Sequence, residues 1–151
     1  GGVSGHAGLF STAPDVARFV QFLMRGGSAA PGGTGAQAHR GTELVRAETI
    51  ARFISVQRPG LYSRARGCDT PSENSSAGSR LAARAFGHTG FTGTSIWVDP
   101  EQDLFVLLLT NRVSPTRENN AIREVRRRVA DLAVEALGRG KVAAGRTAGF
   151  E

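Results

Sequence analysis

Cysteine and lysine are nearly missing from this chain. Among its 151 residues there is one cysteine, Cys68, so no internal disulfide can form and a multi-cysteine metal site is excluded. Lys141 is the single lysine; taking it from the 19 Lys+Arg leaves 18 arginines. The three histidines, His6, His39 and His88, stand far apart and lack the spacing of metal ligands. No apolar run approaches the roughly 20 residues that cross a bilayer, so no transmembrane segment is expected. The opening Gly1-Gly2-Val3 has no Met, no basic stretch and no apolar run. It is not read as a signal peptide, and the chain is expected to be either processed or interior to a longer polypeptide.

What is present suits an ordinary globular domain, with 40% hydrophobic and 21% charged residues. Twenty glycines are nearly twice the usual share of about 7%, so much of the chain is expected to be loop. The net charge of +6 could attract nucleic acid or anionic lipid. The arginines are scattered, however. Their one cluster, Arg123 to Arg128, is interspersed with acids, which reads as a solvated helix face rather than a nucleic-acid surface.

A helix start stands at Thr12-Ala13-Pro14-Asp15, with a capping hydroxyl three residues before an acid and proline in the first turn. Val16, Phe19, Val20 and Leu23 then recur at helical spacing, and Gly26-Gly27 ends the run. Residues 27–42 read as an exposed connector. A shorter helix is expected between Leu44 and Val56, with Ile50, Phe53 and Ile54 on one face. Arg58 to Ala85 is polar and broken by Pro and Gly, a loop so long that it should be a functional rim or hide a strand, the latter near Arg64–Cys68. Phe86 to Val98 is extended in character, Asp99 to Asp103 is a turn, and Leu104 to Thr110 is a continuous apolar strand. That last strand does not alternate, so both its faces are expected to be covered, by the helix at 13–25 and by the final helix. The final helix should run from Thr116 or Arg117 to Leu137. Its buried stripe is read as Ile122, Val125, Val129, Leu132, Ala133 and Leu137, with Arg126 off it. Glu124–Arg128 and Arg128–Asp131 should pair on its surface.

The stretch Phe86-Gly87-His88-Thr89-Gly90-Phe91-Thr92-Gly93-Thr94 is the most unusual. Three glycines interrupt an extended run, which weakens a strand unless a ligand or another backbone must come close. His88-Thr89-Gly90, followed by Thr94-Ser95-Ile96-Trp97-Val98-Asp99-Pro100-Glu101 and Leu107-Leu108-Leu109-Thr110-Asn111-Arg112, resembles the serine β-lactamase and penicillin-binding-protein family. The likeness is greatest to its class C-like branch of DD-peptidases and esterases. The opening Gly1 to Thr12 is similar to the glycine-rich turn before a helix in that branch. The resemblance covers residues 1–25 and 86–137 well and the middle loosely.

The resemblance implies an α/β fold of the α+β type, an antiparallel sheet flanked by helices. Residues 1–138 would be the C-terminal portion of such a hydrolase and 139–151 a flexible tail. It implies acyl transfer through a serine ester, using Ser-x-x-Lys, a Tyr-x-Asn or Ser-x-Asn element, and Lys-Thr-Gly or a variant. His88-Thr89-Gly90 matches the third. His88 would then supply a proton or polar contact, Thr89 would bind a substrate carboxylate or carbonyl, Gly90 would let substrate lie on the strand, and the Phe91 N–H would be an oxyanion donor.

The other two motifs fail to match. Gly138 stands where Lys141 would need its serine, and Tyr62 is followed by Ser63-Arg64. Ser72-Glu73-Asn74 matches Ser-x-Asn in letters only. His6 occupies the place of the last glycine in a Gly-x-Ser-x-Gly elbow around Ser4, and Ser4 and His6 are too close in sequence to act as a couple. Arg64 and Arg66 could lower the Cys68 thiol if near it, though an incidental thiol is the simpler reading. The expectation is therefore one wall of an active site whose nucleophile lies before residue 1, inactive by itself. The parent would cleave a β-lactam, a D-Ala-D-Ala peptide or a small ester, without metal or cofactor. The alternative is a non-catalytic domain that binds peptide or cell-wall material. Small molecules or peptides are the expected partners, with no nucleic acid, and the resemblance suggests an extracytoplasmic bacterial location.

Overall fold

A computed structural model describes residues 8–29, 42–73 and 75–138. The start of the glycine-rich opening, most of the 27–42 connector, the last residue of Ser72-Glu73-Asn74 and the 139–151 tail lie outside the described residues, as do His6, His39 and Lys141. The chain divides into two units, residues 1–50 and 51–151.

In the first unit, α1 (Ala13–Met24) begins where the capping signal stands: the Thr12 side chain accepts from the Asp15 amide, satisfying one of the helix's orphan donors. Arg18 pairs with Asp15 at 2.5 Å on the exposed surface. Of the expected apolar face only Val20 is fully buried, while Phe19 is 59% exposed. Gly26 and Gly27 take positive φ, and the chain then returns so that Ser28 bridges Glu43. α2 (Ala47–Ile54) is shorter than the expected span; it buries Ile50 and leaves Phe53 exposed.

The second unit is built on three antiparallel strands in the order β1 (Phe86–Thr89), β2 (Ser95–Asp99), β3 (Leu104–Leu108). Phe86 faces Val98 and Thr89 faces Ser95; Trp97 faces Val106 and Asp99 faces Leu104. Because side chains alternate across a strand, Trp97, Leu104 and Val106 share one face. On it they form a core with Ala77, Leu81, Ala85, and with Ala130 and Val134 of α3 (Ile122–Ala136).

Four expectations change here. The 86–98 run is two strands, because residues 90–94 fold into a turn. Gly93 sits at φ 128, a conformation that a side chain disfavours. Among its described residues the Arg58–Ala85 stretch holds no helix or strand, only bridges at Arg64, Ala65 and Asp69. It is nonetheless core: Ala77, Leu81 and Ala85 are buried, and its length serves packing. In β3 only Leu104 is fully buried, the rest being half-buried, so the apolar run is not sheathed on both faces. In α3 the buried positions are Arg126, Ala130 and Val134, while Val125 and Leu132 are exposed. The stripe is turned from the expected one, and an arginine lies in it.

Two carboxylates tie this unit together. Asp99, fully buried, accepts from the Ala82 amide at 2.7 Å, from Gln102 Nε2 at 2.6 Å, and from the amides of Glu101 and Gln102. It fixes the β2–β3 turn and anchors the preceding loop. Asp131 of α3 accepts from the Ser79 and Arg80 amides at 2.6 and 2.9 Å. Its engagement there replaces the expected surface pairing with Arg128.

Candidate active site

The turn at 90–94 has an unusual division of polarity. Gly90 O accepts from the Gly93 amide at 3.2 Å and from Arg126 Nη2 at 2.8 Å. Phe91 O accepts from Arg112 Nε at 2.8 Å, and Thr92 O from the Arg112 amide at 2.7 Å. Gly93 O accepts from Thr110 Oγ1 at 2.8 Å. Thr94 O accepts from the Gly90 amide and from the same Arg126 Nη2, both at 2.8 Å. Every carbonyl of the turn is therefore held from within the fold. The amides of Phe91 and Thr92, by contrast, make no hydrogen bond to the described residues. Their residues are exposed, Phe91 by 63%. A short arc of backbone with its acceptors tied back and its donors outward is suited to an anion or a developing oxyanion.

The strand leading into this turn is only partly covered on its outer edge. Asp69 and Gly87 exchange two backbone bonds, at 2.7 and 3.0 Å, on the side of β1 away from β2. Alternation turns the backbone of Thr89 the same way. His88 and Thr89 lie next to each other, and the pleat sends their side chains to opposite faces. His88 is exposed. Its Nδ1 is 2.9 Å from Thr89 O, and Arg64 Nη2 lies 3.5 Å from its Nε2. A carbonyl only accepts and a guanidinium only donates, so the ring fits with its proton on Nδ1. Arg64 is itself paired with Asp69 at 3.0 Å. Beside them a polar hollow of about 190 Å³ is lined by Ser63, Arg64, Asp69, Thr70, Ser72 and Ser75.

Of the sequence-predicted residues, His88, Thr89, Gly90 and Phe91 are thus consecutive at one sheet edge and its turn. A Cβ at Gly90 would collide with the Thr94 side chain, so this glycine also closes the turn. Cys68 is half-buried. Burial pushes its thiol up, the Asp69 carboxylate adds to the rise, and Arg64 opposes it. It is therefore a protonated thiol at neutral pH, contrary to an arginine-activated one.

Arg112 and Arg126 escape a reading of periodicity. Arg126 is 8% exposed, and no carboxylate among the described residues pairs with it. Its Nε is without a partner among them, a loss that costs roughly 1–3 kcal/mol for a buried donor. Burial, and then the Arg112 guanidinium, draw its pKa down from the ordinary arginine value. Arg112 also lays its guanidinium 4.5 Å from the Phe91 ring centroid, a cation–π contact. For Arg126 the signal that could have found it is a basic residue at a helical core position; Arg112, in the irregular chain after β3, carries no such signal.

Comparison with known proteins bears on the family and the fold. The β-lactamase family model matches residues 1–131. A protein of Escherichia coli (strain K12), provisionally named a D-alanyl-D-alanine carboxypeptidase, is 33% identical over 116 residues, covering 74% of this chain and 24% of that protein. An N-acetylmuramyl-L-alanine amidase of Bacillus subtilis (strain 168) is 35% identical over 113 residues, covering 74% and 23%. The chain thus spans about a quarter of the length of these curated relatives. The crystal structure of a β-lactamase from Mycobacterium bovis superposes with a TM-score of 0.58 at 24% identity, over 83% of this chain and 44% of that one. It shares the fold. With the match to the family model extending over most of its length, this chain belongs to the β-lactamase family.

Proposed function

We propose that this chain forms the sheet-side wall of the active site of a serine hydrolase that cleaves an amide or ester through an acyl-serine intermediate. The observation that carries it is the 90–94 turn, whose carbonyls are all bonded inward while the Phe91 amide faces out beside the His88-Thr89-Gly90 edge. In acyl transfer the carbonyl oxygen gains charge as the tetrahedral intermediate forms, and a fixed backbone N–H at that point lowers the barrier. The Phe91 amide takes this role. The outward Thr89 backbone gives the acyl chain an edge to lie against, and His88 offers a polar contact at its rim. The attacking serine and its base belong to a Ser-x-x-Lys motif, which this chain lacks, in preceding polypeptide. Substrates of the class are β-lactams, D-Ala-D-Ala peptides and small esters, and the names of the E. coli and B. subtilis relatives favour cell-wall peptide.

The test is the product of the whole open reading frame, treated with a labelled penicillin and with a nitrophenyl ester. A covalent adduct on the serine of an upstream Ser-x-x-Lys is expected. Phe91→Pro, which deletes the amide, should slow acylation by about 100- to 1,000-fold, while Phe91→Ala keeps the donor and most of the rate. Retention of peptide without hydrolysis would turn the reading to a binding domain. An open reading frame with no Ser-x-x-Lys would remove the nucleophile and the proposal with it.

A further inference from the structure

Arg126 joins the two ends of the turn through one atom. Its Nη2 lies 2.8 Å from Gly90 O and 2.8 Å from Thr94 O, the carbonyls that flank the residues bearing the free amides. Arg112 holds the middle, with Nε on Phe91 O and its own amide on Thr92 O. Neither arginine is near a carboxylate partner among the described residues. A guanidinium normally takes a carboxylate when buried; here both take backbone carbonyls of the same five residues. A peptide plane has its carbonyl and its amide on opposite sides, so tying each C=O inward fixes the direction of the next N–H. Gly90 O governs the Phe91 amide, and Phe91 O governs that of Thr92.

We propose that Arg126 and Arg112 are positioning residues that hold the 90–94 turn, so that the Phe91 amide, with that of Thr92 beside it, is kept facing outward as a donor to an anion. The inference rests on the hydrolase reading for its consequence in catalysis, but the ordering of the turn stands apart from it. Two positive charges behind the donors also raise the local potential toward an anion.

The experiment uses the full open-reading-frame product, labelled with ¹⁵N, as wild type and as Arg126→Lys, Arg126→Met, Arg112→Leu and Arg128→Met. Arg128 is exposed on the same helix and touches none of the turn. Arg126→Met and Arg112→Leu should each lower kcat for ester hydrolysis by about 100-fold, the loss that follows from an ångström of misplacement, with KM changed much less. Their Phe91 and Thr92 amide signals should broaden or shift, while those of Trp97 and Val98 stay put. Arg126→Lys should recover part of the rate, and Arg128→Met should match wild type in both measurements. Should Arg126→Met fail to fold, Arg112→Leu, altering a half-buried side chain, carries the test. Unchanged Phe91 and Thr92 signals in Arg112→Leu, or a loss confined to KM, would overturn the positioning role. A wild type with no hydrolysis but with the amide changes intact would sink the hydrolase reading and leave the clamp standing.

Discussion

Asp99 and Cys68 show how differently two side chains of the same unit respond to burial. Asp99 is enclosed but fully engaged, its Oδ1 accepting from the Glu101 and Gln102 amides and its Oδ2 from the Ala82 amide and Gln102 Nε2. Asp99→Ala would strand the Ala82 amide and take from Gln102 Nε2 the shorter of its two acceptors, leaving it the Arg80 carbonyl. The expected loss is about 3 kcal/mol, from leaving buried donors unsatisfied. Urea unfolding followed by the fluorescence of Trp97, the single tryptophan and a core residue of the same unit, measures it. Cys68 is instead held in its neutral form. Its pKa is raised by burial first and by Asp69 second, against Arg64, so at pH 7 its thiolate fraction lies below that of a free thiol. Iodoacetamide should modify it more slowly than glutathione at pH 7, with the rate climbing only at pH above the range where glutathione reacts. Asp69→Asn removes one raising influence and should speed the reaction; an unchanged or slower rate would show that Asp69 does not act on the thiol.

At the level of elements, the β2–β3 hairpin, the helix starting after Thr12 and the final helix are all legible in sequence, because caps, turn residues and apolar runs are local signals. What is not legible is tertiary. The glycines at 87, 90 and 93 look like interruptions of one strand, since nothing in the letters says that Thr94 must pack where a Gly90 side chain would be. Arg126 reads as surface because its partners, Gly90 O and Thr94 O, lie more than thirty residues earlier. The 71–85 loop reads as polar because serines and arginines outnumber the alanines and leucine that enter the core. The His88-to-Phe91 segment, in contrast, was marked by composition and by family likeness, while its donor geometry needed the arginines to be seen. The turn itself makes a prediction. At Gly93 a Cβ would stand 2.7 Å from Thr110 O and φ is 128, so Gly93→Ala meets both strain and a clash. A loss of about 1–3 kcal/mol is expected from the backbone alone, again read by Trp97 unfolding. Gly60→Ala is the control: it shares a positive φ but has open space around it, so it should lose less.

Across the whole molecule, the parts that the proposed acyl-transfer site needs are represented unequally. A nucleophilic serine needs a base within hydrogen-bond reach, and among the described residues no serine hydroxyl is hydrogen-bonded to a histidine. The Ser75 hydroxyl accepts from the Ser72 and Ala77 amides, and the Ser63 carbonyl accepts from the Thr70 hydroxyl. Neighbouring His88 has Nδ1 2.9 Å from Thr89 O and Nε2 3.5 Å from the Arg64 guanidinium, so both ring nitrogens already face other groups. In the proposed reading the 90–94 turn stabilises charge, and the reaction begins on a serine outside this wall. This 151-residue chain by itself should therefore show no covalent mass increase by intact-mass spectrometry after incubation with a penicillin, whereas the full open-reading-frame product should gain one penicilloyl group. An adduct on Ser63, Ser72 or Ser75 of the isolated chain would mean that a nucleophile and its base already lie within this sheet-side wall, and the division of labour between donor turn and distant serine would have to be abandoned.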